Sequence, residues 1–419
     1  MNKKIGNLFK GDKVIWMVFF FLCVISVIEV FSASSTLTFK SQNYMGPIVY
    51  HTMMILVGLA VAIVTLNIPC RYFKIATPIL LVISFGMLLW VLVGGESING
   101  ANRVIKILPG VTFQPSEIAK GTMILATAQI LSAMQHEDGS GADKQAMKYI
   151  LWIAVPTVAL IGVENLSTAG LLFGVIILMM FLGRVPIAQL GKLMGALMVL
   201  IVAFLTLVFT LGSLDKTDEE QQAAAIEVQT QTTASAEKPK KSMFEVVTHR
   251  FGTWRNRILN HGSKNVPPED YDLEKNFQVG HANIAIAQSG IIGKGPGNST
   301  ERDILPQAFS DFIYAIIIEE MGIFGAIAVA FLYIILLYRA ARIASKCENN
   351  FPAFLVMGLA LLLVSQACIN MMVAVELMPV TGQPLPLISK GGTSTIINCA
   401  YIGAILSVSR SAKRVQTVS

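Results

Sequence analysis

Charge is scarce in this chain. Asp, Glu, Lys and Arg make up 14% of its 419 residues, while apolar residues make up 54%. A soluble domain carries about 25% charged residues. A chain this apolar is neither disordered nor an ordinary soluble enzyme, and its expected solvent is lipid. Cysteine is also sparse. Cys23, Cys70, Cys347, Cys368 and Cys399 are scattered and odd in number, which argues against a disulfide framework and a zinc site. The five histidines form no HExxH-type ligand pattern, and no repeat of fixed period is visible.

Long apolar runs are abundant. A spanning helix needs about 20 mainly apolar residues. Such runs fall at 14–33, 48–66, 74–94, 115–134, 148–163, 168–183, 189–212, 312–338, 353–375 and 393–409. The expected fold is therefore an all-α polytopic membrane protein of about ten helices. The fifth and sixth runs, around Pro156 and Thr168, are short and nearly continuous. The first run follows Lys3, Lys4, Lys10 and Lys13, but it is too long for a signal peptide and no small-residue cleavage site follows. It reads as a retained helix with its N-terminus inside.

The loops test this orientation. Every short segment then placed inside is basic: Arg71 and Lys74, Lys144 and Lys148, Arg184 and Lys192, Arg339 with Arg342 and Lys346, and Arg410 with Lys413 and Arg414. Positive charge gathers on the cytoplasmic side of membrane helices, so both termini are expected there. The same rule accounts for the net charge of +6 without nucleic acid.

One outside segment is long, 213–311. Its tract at about 215–245 is rich in Gln, Ala, Thr, Glu and Lys, cannot bury a core and reads as disordered. Its second part carries Phe251, Trp254, Ile258, Phe277, Ile284, Ile286, Ile291 and Ile292, too apolar for a solvated linker, and is expected to fold back onto the membrane surface. The whole chain is read as a single membrane domain.

Four polar clusters could carry chemistry. Leu305-Pro306 to Asp311-Phe312-Ile313-Tyr314-Ala315, with Glu319-Glu320-Met321-Gly322, places Asp311 where the long loop becomes a helix. A carboxylate there is either a helix N-cap or a general base whose partial desolvation brings it toward the working pH. Glu319 and Glu320 lie about two turns further in, where pairing with Lys or Arg is the plain expectation. Asn102-Arg103 with Gln114-Pro115-Ser116-Glu117-Ile118-Ala119-Lys120 puts Glu117 and Lys120 at i, i+3 on one helix side, the spacing of a buried ion pair. Pro379 to Ser394, which includes Ser389 and Lys390, is too rich in Pro and Gly for helix interior. Irregular backbone at membrane depth survives only against protein or a water-filled cavity, so this segment is expected to re-enter and line one. Lys390 there could meet a phosphate or simply snorkel. Gly293-Lys294-Gly295-Pro296-Gly297-Asn298-Ser299 lacks the GxxxxGK[ST] pattern of a nucleotide loop. Glu164-Asn165-Leu166-Ser167-Thr168 reads as a short polar break between two spans, with Glu164 either a second acid or a wet loop residue, the latter favoured.

These clusters, in this order, resemble the SEDS family of bacterial membrane proteins (FtsW, RodA and SpoVE), and the Gly-Asn-Ser after the glycine run is most similar to FtsW. The resemblance covers residues 14–410 apart from about 215–245. It implies ten helices in the bacterial inner membrane and a peptidoglycan glycosyltransferase that polymerises lipid II, a disaccharide-pentapeptide on undecaprenyl pyrophosphate. The family's essential loop aspartate maps onto Asp311, and its paired acid and lysine map onto Glu117 and Lys120. The chain departs from the family at Gln307, at Lys390 where Tyr is usual, and at 164–168 where an outer Asp is missing.

On this reading Asp311 is the general base. Positive charge for the leaving pyrophosphate comes from Arg103, Lys120, Arg257 and Lys390, with Glu117, Ser389 and Ser394 completing the substrate-binding set. No cofactor motif is visible; a divalent cation, magnesium or manganese, is the one helper this chemistry would accept. The implied partners are lipid II, a class B penicillin-binding protein, other division proteins and membrane lipid, with no nucleic acid. The rival reading is a lipid II flippase whose polar path is lined by Glu117, Lys120 and Glu319. A pure scaffold is the third.

Overall fold

The structure, a computed structural model, describes residues 10–33, 45–94, 96–98, 101–108, 111–137, 141–229, 252, 255, 277–305 and 308–415. Each of the ten expected spans is a helix: α1 (Lys13–Ala33), α2 (Gly46–Asn67), α3 (Cys70–Gly94), α4 (Pro115–Ala133), α5 (Lys144–Glu164), α6 (Leu166–Leu182), α7 (Ile187–Gln229), α9 (Ile313–Ala344), α10 (Asn350–Ala374) and α11 (Thr393–Val415). The helix α8 (Phe277–Ser289) lies between α7 and α9. Among the described residues, seven helices are long and apolar enough to cross a bilayer by length and composition: α1, α2, α3, α5, α7 over Ile187–Thr210, α9 and α10. The chain is an all-α polytopic membrane protein with one small addition. Three short antiparallel strands, β1 (Glu96–Ile98), β2 (Ala101–Leu108) and β3 (Val111–Phe113), connect α3 to α4. Their β-branched residues Val104, Ile105, Val111 and Thr112 favour a pleated strand over a loop.

Local chemistry sets several boundaries. The doubtful pair of spans is separated by Asn165, which ends α5 and caps α6: its Oδ1 accepts from the amides of Ser167 at 3.1 Å and Thr168 at 3.2 Å. The preceding Glu164 is not wet, being 3% exposed. Pro115 occupies the first turn of α4, where its missing N–H costs nothing.

The larger of two compact units holds residues 1–189, Phe277–Leu377 and Thr381–Ser419. Within it α2 packs along α11, α9 against α10 and α1, and α4 against α3 and α10. The α2–α11 crossing is built from small residues. A Cβ on Gly403 would come 2.5 Å from the Ala62 carbonyl oxygen, and one on Gly58 would come 2.7 Å from Cys399 Sγ. Small residues at such crossings let two backbones approach where lipid supplies no hydrophobic drive. The smaller unit holds residues 190–276 and Met378–Val380, and α7 is helical through it to Gln229.

Helix α9 is broken at Gly322, whose φ of +67° and ψ of −168° leave the helix. The carbonyls of Glu319 and Glu320 lose their partners at the break. The glycine-rich segment after α8 supplies replacements: Lys294 N donates to Glu319 O at 2.9 Å and Gly295 N to Glu320 O at 2.8 Å. Gly293 (φ +85°) and Gly322 meet backbone to backbone, so a Cβ on either would strike the other segment. This motif, unassigned by any nucleotide pattern, is a splint for a broken helix. Among the long-loop residues expected to turn back on the membrane, Phe277, Ile284 and Ile286 are in α8, which packs on α9, while Ile291 and Ile292 are exposed beside the break. Phe251, Trp254 and Ile258 lie outside the described residues.

Candidate functional site

The residues just before α9 form a tight turn, Ala308–Phe312, and Asp311 is half-buried there. Helix α9 starts at Ile313 with Phe312 at its N-cap and no side-chain cap bond. The N-cap position expected for Asp311 on the plain reading is thus held by Phe312, with Asp311 one residue before it. Ser310 Oγ donates to its Oδ1 at 3.1 Å. Its Oδ2 faces Gly382, where a Cβ would sit at 3.6 Å.

Gly382 belongs to the irregular segment 381–392 between α10 and α11. This backbone makes no regular ladder, so its polar groups need other partners. Ser389 Oγ donates to Ser310 O at 2.6 Å and accepts from Leu385 N at 2.7 Å. Lys390 N donates to Phe309 O at 2.9 Å. Ser26 Oγ donates to Ile388 O at 2.6 Å and bonds His51 Nε2 at 2.8 Å. Tyr333 donates to Pro386 O. Gln383 Nε2 donates to Thr168 Oγ1 at 2.7 Å. Two further bonds come from α10: Gln366 Nε2 to Pro384 O at 3.0 Å, and Asn370 Nδ2 to Gln383 O at 2.7 Å. Asn370 Nδ2 also donates to Asp311 O at 2.8 Å. The irregular segment is therefore hydrogen-bonded by protein on several sides and fastened to the turn that carries Asp311.

Lys390 is half-buried, and its ammonium lies 5.1 Å from the centre of the Phe309 ring. Burial holds its amine below the usual lysine range. The carboxylate and the cation thus sit on two segments that are hydrogen-bonded to each other. Ser394 Oγ donates to Gly391 O at 2.9 Å at the start of α11.

Glu117 and Lys120 meet as their spacing predicts. Lys120 Nζ lies 2.9 Å from Glu117 Oε1 and donates to Gln366 Oε1 at 2.9 Å. Lys120 is fully buried and Glu117 is 4% exposed, with Tyr401 donating to the Glu117 carbonyl. The pair thereby connects through Gln366 to Pro384 of the irregular segment. Arg103 is on β2, away from helical elements in sequence. Arg257, Pro306 and Gln307 lie outside the described residues.

Glu319 and Glu320 are fully buried and satisfied. Lys294 Nζ lies 2.6 Å from Glu319 Oε1, which also accepts from Thr300 N at 3.0 Å, while Ser299 donates to Oε2. Glu320 accepts from Gly297 N at 3.0 Å, from Ser299 N at 3.3 Å and from Ser32. Both carboxylates therefore serve the splint. Among the described residues no three His, Cys, Asp or Glu side chains gather as a metal site.

Sequence reasoning missed Gln366, Asn370 and Gln383. A signal existed: Gln366 and Asn370 are two amides four residues apart in an apolar span, so they share one face.

Known proteins share this architecture. A probable peptidoglycan glycosyltransferase FtsW from Geobacter metallireducens is 30% identical over 95% of this chain and 94% of its own. A protein of the same name from Halomonas elongata is 28% identical over 86% of this chain and 80% of its own. A solved structure described as the structural coordination of polymerization and crosslinking by a peptidoglycan synthase complex superposes with a TM-score of 0.67 at 22% identity, covering 96% of this chain and 98% of its own. The cell cycle protein family of FtsW, RodA and SpoVE matches residues 12–216 and 241–414. With most of its length matched, the chain belongs to that family.

Proposed function

We propose that this chain is a peptidoglycan glycosyltransferase that polymerises lipid II in the bacterial inner membrane, with Asp311 as general base. The observation that carries the reading is the place of that carboxylate: half-buried, one residue before the N-cap of α9, on a turn fastened by hydrogen bonds to the irregular segment that carries Lys390. The hydroxyl oxygen of one lipid-linked sugar attacks the anomeric carbon of a second. The bond from that carbon to pyrophosphate breaks, the hydroxyl proton passes to Asp311, and inversion gives a β-1,4 link. A base must sit about 2.6–3.2 Å from its hydroxyl in the productive complex. Lys390 neutralises the leaving pyrophosphate, assisted by Arg103 and Arg257. Ser389 and Ser394 shape the segment that receives the head group. Glu117 and Lys120 contribute to substrate binding through Gln366 and that same segment.

In this reading both termini are cytoplasmic, and 213–311 is the large extracytoplasmic loop of one membrane domain; the tract expected to be disordered is helical over its first part, to Gln229, and its remainder lies outside the described residues. The implied setting is septal wall synthesis beside a class B penicillin-binding protein and other division proteins, in contact with membrane lipid and not with nucleic acid. The names of the FtsW relatives support the reaction class. The flippase reading loses its path: Glu117, Lys120 and Glu319 are each buried in ion pairs rather than lining a polar route.

The test is glycan-chain formation by the purified chain from lipid II, with and without its transpeptidase. Asp311→Asn is expected to lower the rate about 10²–10⁴-fold, the usual contribution of a positioned base. Full polymerising activity in a normally folded Asp311→Asn protein would refute the assignment.

A further inference from the structure

Asn370 is 1% exposed in α10, and both protons of its amide are in use. One goes to the main-chain carbonyl of Asp311 at 2.8 Å, the other to the main-chain carbonyl of Gln383 at 2.7 Å. Both partners can only accept, so the amide nitrogen must face them. Its Oδ1 has no hydrogen-bond partner. An amide that leaves its own oxygen unmatched in order to donate twice is placed for its donors. Those donors join the turn that holds Asp311 to the irregular segment, one residue from Gly382, which faces Asp311 Oδ2.

We propose that Asn370 is the positioning residue of the reaction: by clamping the Asp311 and Gln383 carbonyls together, it sets the distance and direction from which the carboxylate meets the sugar hydroxyl. This rests on the reading of Asp311 as the base. Few side chains can fill the role. Leucine has the volume but no donor. Aspartate has the shape, but its carboxylate would set negative oxygens against two carbonyls. Only its protonated form can donate, and then once. A charged lysine or arginine would not fit a site buried on all sides without a counter-ion. A displacement of about 1 Å at a reacting group can cost about 100-fold in rate.

The experiment compares Asn370→Leu, Asn370→Asp and Asp311→Asn with the wild-type full-length chain in polymerisation from lipid II. Asn370→Leu is expected to lower kcat about 100-fold and to leave the KM for lipid II within about twofold, because it disturbs the base rather than the head-group contacts. Asn370→Asp is expected to recover relative to wild type as pH falls, because the carboxylic acid regains one donor; Asn370→Leu has nothing to protonate and its ratio to wild type stays flat. Wild-type kcat in Asn370→Leu, with Asp311→Asn inactive, overturns the proposal and leaves the base intact. A pH-independent ratio for Asn370→Asp overturns it as well, and decides the matter alone if Asn370→Leu does not fold. Wild-type turnover in Asp311→Asn removes the base itself, whatever the Asn370 variants do.

Discussion

Replacing Lys120 by methionine tests how the centre of the helical body is held. The change keeps volume but removes a charge that lies 2.9 Å from Glu117 Oε1 and a donor 2.9 Å from Gln366 Oε1. Glu117 Oε2 already has no hydrogen-bond partner, so the stranded carboxylate would retain little solvation. Breaking a buried pair on one side costs about 3–5 kcal/mol. The orphaned Gln366 oxygen adds to this, though not additively, because the three groups form one network. Replacing both partners, Glu117→Leu with Lys120→Met, strands no charge, and such replacements are often close to neutral. The double variant should therefore be more stable than Lys120→Met by about 2 kcal/mol or more. The measurement is reversible unfolding of the purified chain in mixed micelles, with lipid II polymerisation followed on the same samples. A double variant as unstable as the sum of the two single changes would show that the charges do not meet as described. A Lys120→Met protein within about 0.5 kcal/mol of wild type would refute the burial argument, since that is the range of ordinary surface changes.

Two further outcomes are expected. Gly403→Val places side-chain carbon where even a Cβ would come 2.5 Å from the Ala62 carbonyl oxygen; it should destabilise the chain by about 1–3 kcal/mol, measured by the same unfolding titration, and equal stability would mean that α2 and α11 do not cross there. Burial lowers the Lys390 amine, so its charge is present below that lowered value and is lost as pH rises through it, earlier than for an exposed lysine. The KM for lipid II should rise over that window, and Lys390→Arg, which stays charged, should abolish the rise; an identical pH profile in the arginine variant would separate Lys390 from the pyrophosphate.

The sequence alone determined the ten helices and their order. A run of about 20 apolar residues has few ways to satisfy its backbone in lipid, and the helix is the one that needs no neighbour. It also determined that Glu117 meets Lys120, because i, i+3 spacing is a local fact of helix geometry. It marked Asp311 by its position at a loop–helix border. Tertiary structure decided what these groups face. Along α10 both sides are apolar, so no periodicity tells the lipid side from the protein side, and Gln366 and Asn370 could not be assigned partners from their own helix. Lys120 bonds Gln366 across 246 residues and Ser26 bonds Ile388 across 362. The break at Gly322 was hidden in an apolar run, because its cause is a glycine-rich segment that arrives from elsewhere to take up the freed carbonyls. For Asp311, already a candidate base by its position, the fold decided the surroundings: it gave the capping position to Phe312 and set Gly382 opposite Asp311 Oδ2. Helices follow from neighbours in sequence; a site of this kind follows from which distant donors reach an irregular backbone that water cannot serve.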